Sequence, residues 1–125
     1  MITEVVDASV LAALVFAEPR AEEAFTLLHG KRLYAPSLLP YELTSIARKK
    51  ALRYPDHRDR LLRALDVALA VDIGWVEVDH AAVCRLALDA GVTTYDACYL
   101  YVAKSLGVSL ITFDERLRAA VSGEP

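Results

Sequence analysis

Short, largely apolar runs alternate along this chain with longer segments of helical character, and this alternation constrains the fold more than any other feature. The runs at residues 3–6, 33–35, 75–78 and 108–113 are predicted to be strands. They lack the in/out alternation of a half-exposed strand, which is typical of strands covered on both faces. We therefore predict an α/β fold, a three-layer α/β/α sandwich with a short central parallel sheet.

Helices are predicted between these strands from their capping and stop residues. Gly30, Gly91 and Gly107 follow helical segments as stop signals, and Asp79 is expected to cap a helix N-terminus. The chain of 125 residues has the length of one domain and contains no linker or repeat, so residues 1–125 are predicted to form a single domain. The predicted helices span residues 9–17, 19–29, 37 or 40 to 52, 55–71, 81–90, 93 or 94 to 106, and 115–121.

The composition excludes several classes of protein. Apolar residues make up 55% of the chain, which excludes a disordered protein and suggests that part of the surface is buried against another chain. Cys84 and Cys98 lie too far apart for a C-x-x-C zinc site and are expected to be buried thiols of a reducing compartment. The first apolar stretch is interrupted by Asp7 and is too short to span a bilayer, so we expect a cytoplasmic protein with no membrane association.

Four acidic residues fall where the carboxyl edge of such a sheet is expected. Ligands of open parallel sheets bind just beyond the carboxyl ends of the strands, and two predicted strands end at Asp7 and Asp114. Glu42 and Asp96 begin helices that would emerge near the same edge. Each acid also has an ordinary structural explanation. Asp7 and Asp114 could be helix N-caps, Asp96 could form a capping box with Thr93, and Glu42 could be a favourable charge at a helix N-terminus.

Taken together, the four acids indicate a metal site. Asp7 and Asp96 are each followed by an apolar helical segment, and no lysine or arginine lies beside either of them in sequence. An unpaired, partly buried carboxylate is energetically costly. Carboxylates that converge without cations are what a hard divalent ion requires as ligands. The sequence therefore predicts a site for Mg²⁺ or Mn²⁺.

Four segments of the chain also resemble a known family. They are VVDASVLAALVFAEP, the segment PSLLPYELTSIARK with its glutamate, TTYDACYLYVAKSLG and SLITFDERL. In this order and spacing they are similar to the successive signatures of PIN-domain ribonucleases, and most closely to the VapC-type toxins of toxin–antitoxin pairs. The resemblance runs from Val5 to Arg118, nearly the whole chain.

The resemblance implies roles for individual residues. The small hydroxyl residue of the family's T-x-D signature is Thr112 here, and Ser9 matches a frequent Ser or Thr just after the first acid. Both would orient carboxylates by hydrogen bonds. Some relatives have a further acid three residues after the third carboxylate, and here that position is Tyr99. The catalytic, metal-binding acids of the family fall on Asp7, Glu42, Asp96 and Asp114.

The implied activity is metal-dependent endonucleolytic cleavage of RNA. One or two Mg²⁺ ions, for which Mn²⁺ would substitute, would activate a water and stabilise charge on the scissile phosphate. The products would carry a 5′-phosphate and a 3′-hydroxyl. The implied partners are the RNA substrate and a small VapB-like antitoxin that covers the active site. The apolar excess of the chain suggests in addition a homodimer.

A basic stretch follows the predicted helix that carries Glu42. Seven of the 14 basic residues lie in the 16 positions from Arg48 to Arg63, although the chain as a whole has a net charge of −3. A basic patch beside a metal centre would steer a polyanion to an acidic site. The alternative interpretation is a solvated pair of amphipathic helices. The residues predicted to bind RNA are Arg48, Lys49, Lys50 and Arg53.

The aromatic residues have two interpretations. Tyr95, Tyr99 and Tyr101 could stack on RNA bases, but at this spacing core or dimer-interface positions are more common. Trp75 in its predicted strand is expected in the core. The three histidines form no metal-binding or triad pattern and are assigned no role.

Two other functions compete with RNA cleavage. A phosphotransfer or phosphatase domain also places aspartates and Mg²⁺ at strand ends, but the haloacid-dehalogenase pattern needs an aspartate where Ser9 stands. A receiver domain needs a lysine at the end of a late strand, whereas Lys104 lies inside a predicted helix. The second alternative is a catalytically silent PIN-like module that only binds RNA or a protein. The presence of all four acids counts against it.

Overall fold

Four short parallel strands form the centre of the molecule. The structure is a computed structural model that describes residues 1–122. The sheet order is β3-β2-β1-β4, so β1 and β2 are central and β3 and β4 form the edges. The predicted α/β sandwich with a short parallel sheet is confirmed. Of the predicted domain, residues 123–125 lie outside the described residues. The strands are β1 (Thr3–Val6), β2 (Arg32–Pro36), β3 (Ile73–Val76) and β4 (Ser109–Ile111).

Helices connect the strands and follow the sequence prediction with small shifts. Asp79 caps the fifth helix, where its side chain accepts a hydrogen bond from the backbone N–H of Ala82 at 3.1 Å. Gly91 and Gly107 end two helices in the left-handed conformation, which glycine adopts without strain. The helices are α1 (Ala8–Val15), α2 (Ala21–Leu28), α3 (Leu39–Arg53), α4 (Arg58–Leu69), α5 (His80–Ala90), α6 (Thr94–Leu106) and α7 (Glu115–Ser122).

The core lies around strand β1. Val5 of β1 pairs with Tyr34 of β2 on one side and with Leu110 of β4 on the other, and Val5 itself is fully buried. Helix α1 packs against α2, α3 and α4, whereas α6 packs against α5, α7 and three of the strands. Among the larger side chains, Leu11 and Tyr99 are almost completely buried. Within residues 1–122, no helix is both long enough and apolar enough to cross a bilayer.

Several local predictions are wrong, each for a tertiary reason. The third strand is Ile73–Val76 and not residues 75–78, and Trp75 is 47% exposed and not in the core, because β3 is an edge strand. Cys84 is exposed because α5 buries Val83 and Ala87, and the next position after Val83 turns away from that face. The predicted helix 55–71 is a 3-10 turn followed by α4, and the fourth strand is shorter than 108–113.

Candidate active site

Asp7 is the most buried of the four acids and is held at both carboxylate oxygens. It follows β1, is 5% exposed, and caps α1. Its Oδ1 accepts hydrogen bonds from the Ser9 hydroxyl at 2.6 Å, the Ser9 backbone N–H at 3.1 Å and the Val10 N–H at 3.3 Å. Its Oδ2 accepts one from the Thr112 hydroxyl at 2.5 Å. The two hydroxyls therefore hold the carboxylate in one orientation.

The end of β4 joins the same network. The Thr112 hydroxyl oxygen accepts a hydrogen bond from the Asp114 N–H at 3.0 Å, and the Ser9 hydroxyl oxygen accepts one from the Phe113 N–H at 3.0 Å. The exposed Asp114 carboxylate accepts a hydrogen bond from the Leu117 N–H at 2.9 Å, so that it caps the start of α7. Because β1 and β4 are neighbours in the sheet, two acids from opposite ends of the chain meet at one edge.

Glu42 lies in the first turn of α3 and contacts α6. Its carboxylate accepts a hydrogen bond from the hydroxyl of Tyr99, a residue that is 2% exposed. Burial, followed by the Glu42 charge, raises the pKa of Tyr99 well above its usual range, so the hydroxyl stays protonated and remains a donor. Tyr99 stands at the position where some relatives have a further acid, and here it holds the Glu42 carboxylate by a hydrogen bond.

Asp96 lies in the first turn of α6 and is half-buried. The Thr93 hydroxyl caps this helix by accepting a hydrogen bond from the Asp96 N–H at 3.0 Å, as in one of the two interpretations of the sequence. Burial is the main cause that raises the pKa of Asp96, and the charges of Asp114 and Asp7 raise it further. The nearby cation of Arg116 acts in the opposite direction on that pKa.

The four acids influence one another electrostatically. Burial raises the pKa of Asp7, and burial followed by the charges of Asp7 and Asp96 raises the pKa of Glu42. Among residues 1–122, no three His, Cys, Asp or Glu side chains stand close enough together to hold one ion. The donors at this edge are carboxylate oxygens, and the charges of neighbouring acids disfavour the ionisation of Glu42 and Asp96. This donor chemistry fits a hard divalent cation.

The basic residues predicted to bind RNA lie further along α3, beyond Glu42. Arg48, Lys49 and Arg53 are exposed. Lys50 differs, because its Nζ lies 2.8 Å from the carboxylate of Glu18 and its charge is already paired. Arg48, Lys49 and Arg53 form no ion pair with residues 1–122, and they therefore present the accessible positive charge of α3.

A surface cavity of about 520 Å³ lies between α1, α3 and the segment that follows β4, and of the four basic residues Lys49 and Lys50 line it. Ser9 and Phe113 line it on the side of the acids, and Lys49 lines it on the side of α3. The Arg20 guanidinium covers the Phe113 ring at 3.6 Å and forms an ion pair with Glu23 at 2.8 Å. Among the described lining residues, Lys49 is therefore the cation without an ion-pair partner, because Arg20 is paired with Glu23 and Lys50 with Glu18.

Two arginines of α7 lie beside the acids and were not among the predicted site residues. Arg116 is close enough to Asp96 to lower its pKa, and the Arg118 guanidinium donates a hydrogen bond to the Thr112 carbonyl at 2.8 Å. The signal was present in the segment ERLRA, which places both arginines within four residues of Asp114.

The three tyrosines near Asp96 differ in their exposure. Tyr99 is buried, Tyr101 is half-buried and Tyr95 is 63% exposed.

Comparison with known proteins places the chain in a family. The PIN domain profile matches residues 5–122. Ribonuclease VapC3 of Pyrobaculum aerophilum is 34% identical over 119 residues, which covers 90% of each chain. Exonuclease VapC9 of the same organism is 49% identical over 41 residues, a match that covers 33% of this chain and 31% of the relative.

Two solved structures share the fold. The crystal structure of PAE2754 from Pyrobaculum aerophilum superposes with a TM-score of 0.77 at 29% identity, covering 98% of this chain and 82% of the other. The Mycobacterium tuberculosis toxin VapC20, which cleaves the sarcin–ricin loop, superposes with a TM-score of 0.67 at 18% identity, covering 94% of each chain. The second similarity concerns the fold alone.

Proposed function

The chain belongs to the PIN-domain family as a VapC-type ribonuclease, and on this premise we propose that it is a metal-dependent endoribonuclease. The observation that carries the proposal is the placement of four acids, from two strand ends and two helix starts, at one edge of the sheet. There the charges of Asp7 and Asp114 act on Asp96, and those of Asp7 and Asp96 act on Glu42. Three of these acids have raised pKa values. RNA as the substrate class is supported by the relationship to ribonuclease VapC3.

The metal ligands we propose are carboxylates. Mg²⁺, or Mn²⁺ in its place, suits this donor set, because both ions prefer oxygen ligands and would relieve the repulsion among the acids. When bound, one or two such ions supply an activated water and neutralise charge on the scissile phosphate. The residues that would hold them are Asp7, Glu42, Asp96 and Asp114, whose side chains would have to move closer together around the ion than they stand in the metal-free chain.

The chain's own contribution is to hold these carboxylates in place. Ser9 and Thr112 hold Asp7 from opposite sides, with hydrogen bonds of 2.6 and 2.5 Å. Tyr99 holds Glu42 from the neighbouring helix. Because these donors are fixed by folding, the carboxylates keep their orientation without further ordering when substrate binds.

We assign the first binding of RNA to the positively charged surface beside the acids. The exposed side chains of Arg48, Lys49 and Arg53 would bind the RNA backbone, and the cavity beside Ser9 would guide it toward the acidic edge. Lys50 would contribute less, because it is paired with Glu18. The net charge of −3 does not oppose this role, since four of the acids belong to the metal site.

We propose two protein partners, a VapB-like antitoxin and a second copy of the chain. A groove of about 540 Å³ lined by Leu52, Leu62 and Arg58 offers apolar and charged contacts to an antitoxin. Leu88 is 78% exposed and Trp75 is 47% exposed, which supports burial of further apolar surface in a homodimer. Sedimentation as a monomer at micromolar concentration would contradict the dimer.

Cleavage of a circular RNA tests the endonucleolytic activity. The purified chain is incubated with circular and linear forms of the same RNA in Mg²⁺ or in EDTA, and the 5′ ends of the products are mapped. We expect internal cuts in both forms, only with the metal, and 5′-phosphate ends. Shortening of the linear form alone would indicate an exonuclease. Binding of RNA without any cleavage would favour the catalytically silent module.

A further inference from the structure

A second cavity lies next to the acidic edge and is not used by the proposed mechanism. Its volume is about 390 Å³, and it lies among the starts of α3 and α6, the segment after β3, and α5. Tyr41 and Tyr95 stand on its walls and are 77% and 63% exposed. Two large aromatic side chains this exposed at one concave site indicate a binding surface. We refer to this cavity as the tyrosine pocket.

The tyrosine pocket borders the residues assigned to the metal. Tyr41 directly precedes Glu42 on α3, and Tyr95 directly precedes Asp96 on α6. Cys98 also lines the pocket and lies on α6, two residues after Asp96. A group bound here would therefore be a close neighbour of a phosphate bound at the acids.

The chemistry of the lining favours a flat, uncharged, polar ring over a phosphate. None of the described residues that line the pocket is a lysine or arginine, and Glu77 contributes a negative charge that would repel a phosphate. Val78 provides an apolar surface, and the Ser37 and Thr94 side chains provide hydroxyl groups. Aromatic faces with a few hydrogen-bonding groups are what unpaired bases of RNA bind.

We propose that the tyrosine pocket binds a single unpaired nucleobase adjacent to the phosphate that is cut, an inference that rests on the proposed ribonuclease function. Tyr41 and Tyr95 supply the stacking faces. Ser37, Thr94 and Glu77 face the polar edge of the base. The base in this position would contribute to the choice of cleavage site, while the basic residues of α3 bind the backbone without regard to sequence.

Fluorescence of 2-aminopurine tests the pocket independently of cleavage. A single-stranded oligoribonucleotide carries the analogue at one position at a time and is titrated with the full chain in EDTA, so that the signal reports binding alone. We expect quenching at one position. Tyr41→Leu and Tyr95→Leu should each weaken binding roughly tenfold and abolish the quenching, because a stacked ring is lost. Tyr41→Phe and Tyr95→Phe keep the ring and should behave as wild type.

One control variant, together with parallel assays of cleavage and oligomeric state, separates the possible outcomes. Phe25→Leu removes an exposed aromatic ring from α2, outside the pocket, and should change neither binding nor quenching. Equal binding by wild type and both leucine variants would overturn the inference, even if the wild type cleaves RNA in Mg²⁺. Quenching at one position by a wild type that does not cleave would support a base site and overturn the proposed function. Loss of a dimer in the leucine variants, with unchanged RNA binding per monomer, would also overturn the inference.

Discussion

The hydroxyl of Tyr99 donates a hydrogen bond to the carboxylate of Glu42, a residue 57 positions earlier in the chain. The bond joins α6 to the first turn of α3 in the interior of the molecule. It lowers the pKa of Glu42, while burial and the neighbouring acids raise it. Tyr99 thus favours the charged form of Glu42 and orients it, and this is the form that a metal ion would bind.

Tyr99→Phe tests this support with little change in packing. The ring stays in the core, but the hydroxyl donor is lost, so we expect Mg²⁺ affinity to fall about 10- to 100-fold. Isothermal titration with Mg²⁺ or Mn²⁺ measures the affinity. Tyr101→Phe, on the same helix, is the matched control and should bind the ion as wild type does. Equal affinity in both variants would show that Glu42 does not depend on Tyr99.

Thr112→Val removes the hydroxyl that bridges Asp7 and Asp114. The shape of the side chain is kept, but Asp7 Oδ2 loses its donor and the Asp114 N–H loses its acceptor. We expect RNA cleavage to fall about 10- to 100-fold, measured under single-turnover conditions. Thr112→Ser restores the hydroxyl and should recover most of the rate. A serine variant as weak as the valine variant would point to packing and not to the hydroxyl.

The raised pKa values of three acids predict that the free energy of unfolding of the metal-free protein falls as the pH rises. The pKa values of Asp7, Asp96 and Glu42 lie above their ordinary values of 3.8, 3.8 and 4.5, so the folded state holds these protons more tightly than the unfolded state. Their ionisation therefore lowers the free energy of unfolding as the pH rises from these ordinary values through the raised ones. Denaturant titrations in EDTA across this interval measure the effect.

Two comparisons check that the acids cause this trend. Asp96→Asn removes one of the repelling charges, so it should flatten the decline and raise the melting temperature in EDTA. Addition of Mg²⁺ should stabilise the protein, and the gain should grow with pH as more carboxylates are ionised. A melting temperature indifferent to both Mg²⁺ and Mn²⁺ at neutral pH would argue against the metal site.

Gly74→Ala tests the packing of the edge strand. Gly74 pairs with Tyr34 across β2 and β3, and a Cβ at position 74 would overlap the Tyr34 ring. We expect a loss of about 1–3 kcal/mol in the free energy of unfolding. The clash disappears in the double variant with Tyr34→Ala, so the two effects should not add. Additive losses in the denaturant series would place the cause elsewhere in β3.

Local features of the fold could be predicted because their signals are local. Asp79, Gly91 and Gly107 cap helices through contacts within a few residues, and the sequence shows them directly. The strand order could not be predicted in this way, because it depends on which helices cover which strands. The exposure of Trp75 follows from the edge position of β3, which only the sheet order defines.

The candidate site likewise combines features that local sequence signals predict with contacts that depend on tertiary packing. The places of the four acids in the fold could be predicted because each stands at a recognisable strand end or helix start, whereas their role as metal ligands stays a prediction. The partners that hold them could be derived only in part, since the Thr112 and Asp7 side chains meet across 105 residues and their contact requires β4 to lie beside β1. Tyr99 was recognised as a departure from the family pattern, but its contact with Glu42 depends on the packing of α6 and α3.

The most direct test of the account compares RNA cleavage by Asp96→Asn and Asp89→Asn in Mg²⁺. Both variants remove one negative charge, and the cap of α6 is kept because it uses the Asp96 backbone N–H. Asp89 is exposed on α5 and is not among the four acids. We expect Asp89→Asn to cleave as wild type and Asp96→Asn to lose at least about 100-fold of the single-turnover rate while its circular dichroism spectrum is unchanged. Cleavage by Asp96→Asn at the wild-type rate would contradict the carboxylate metal site.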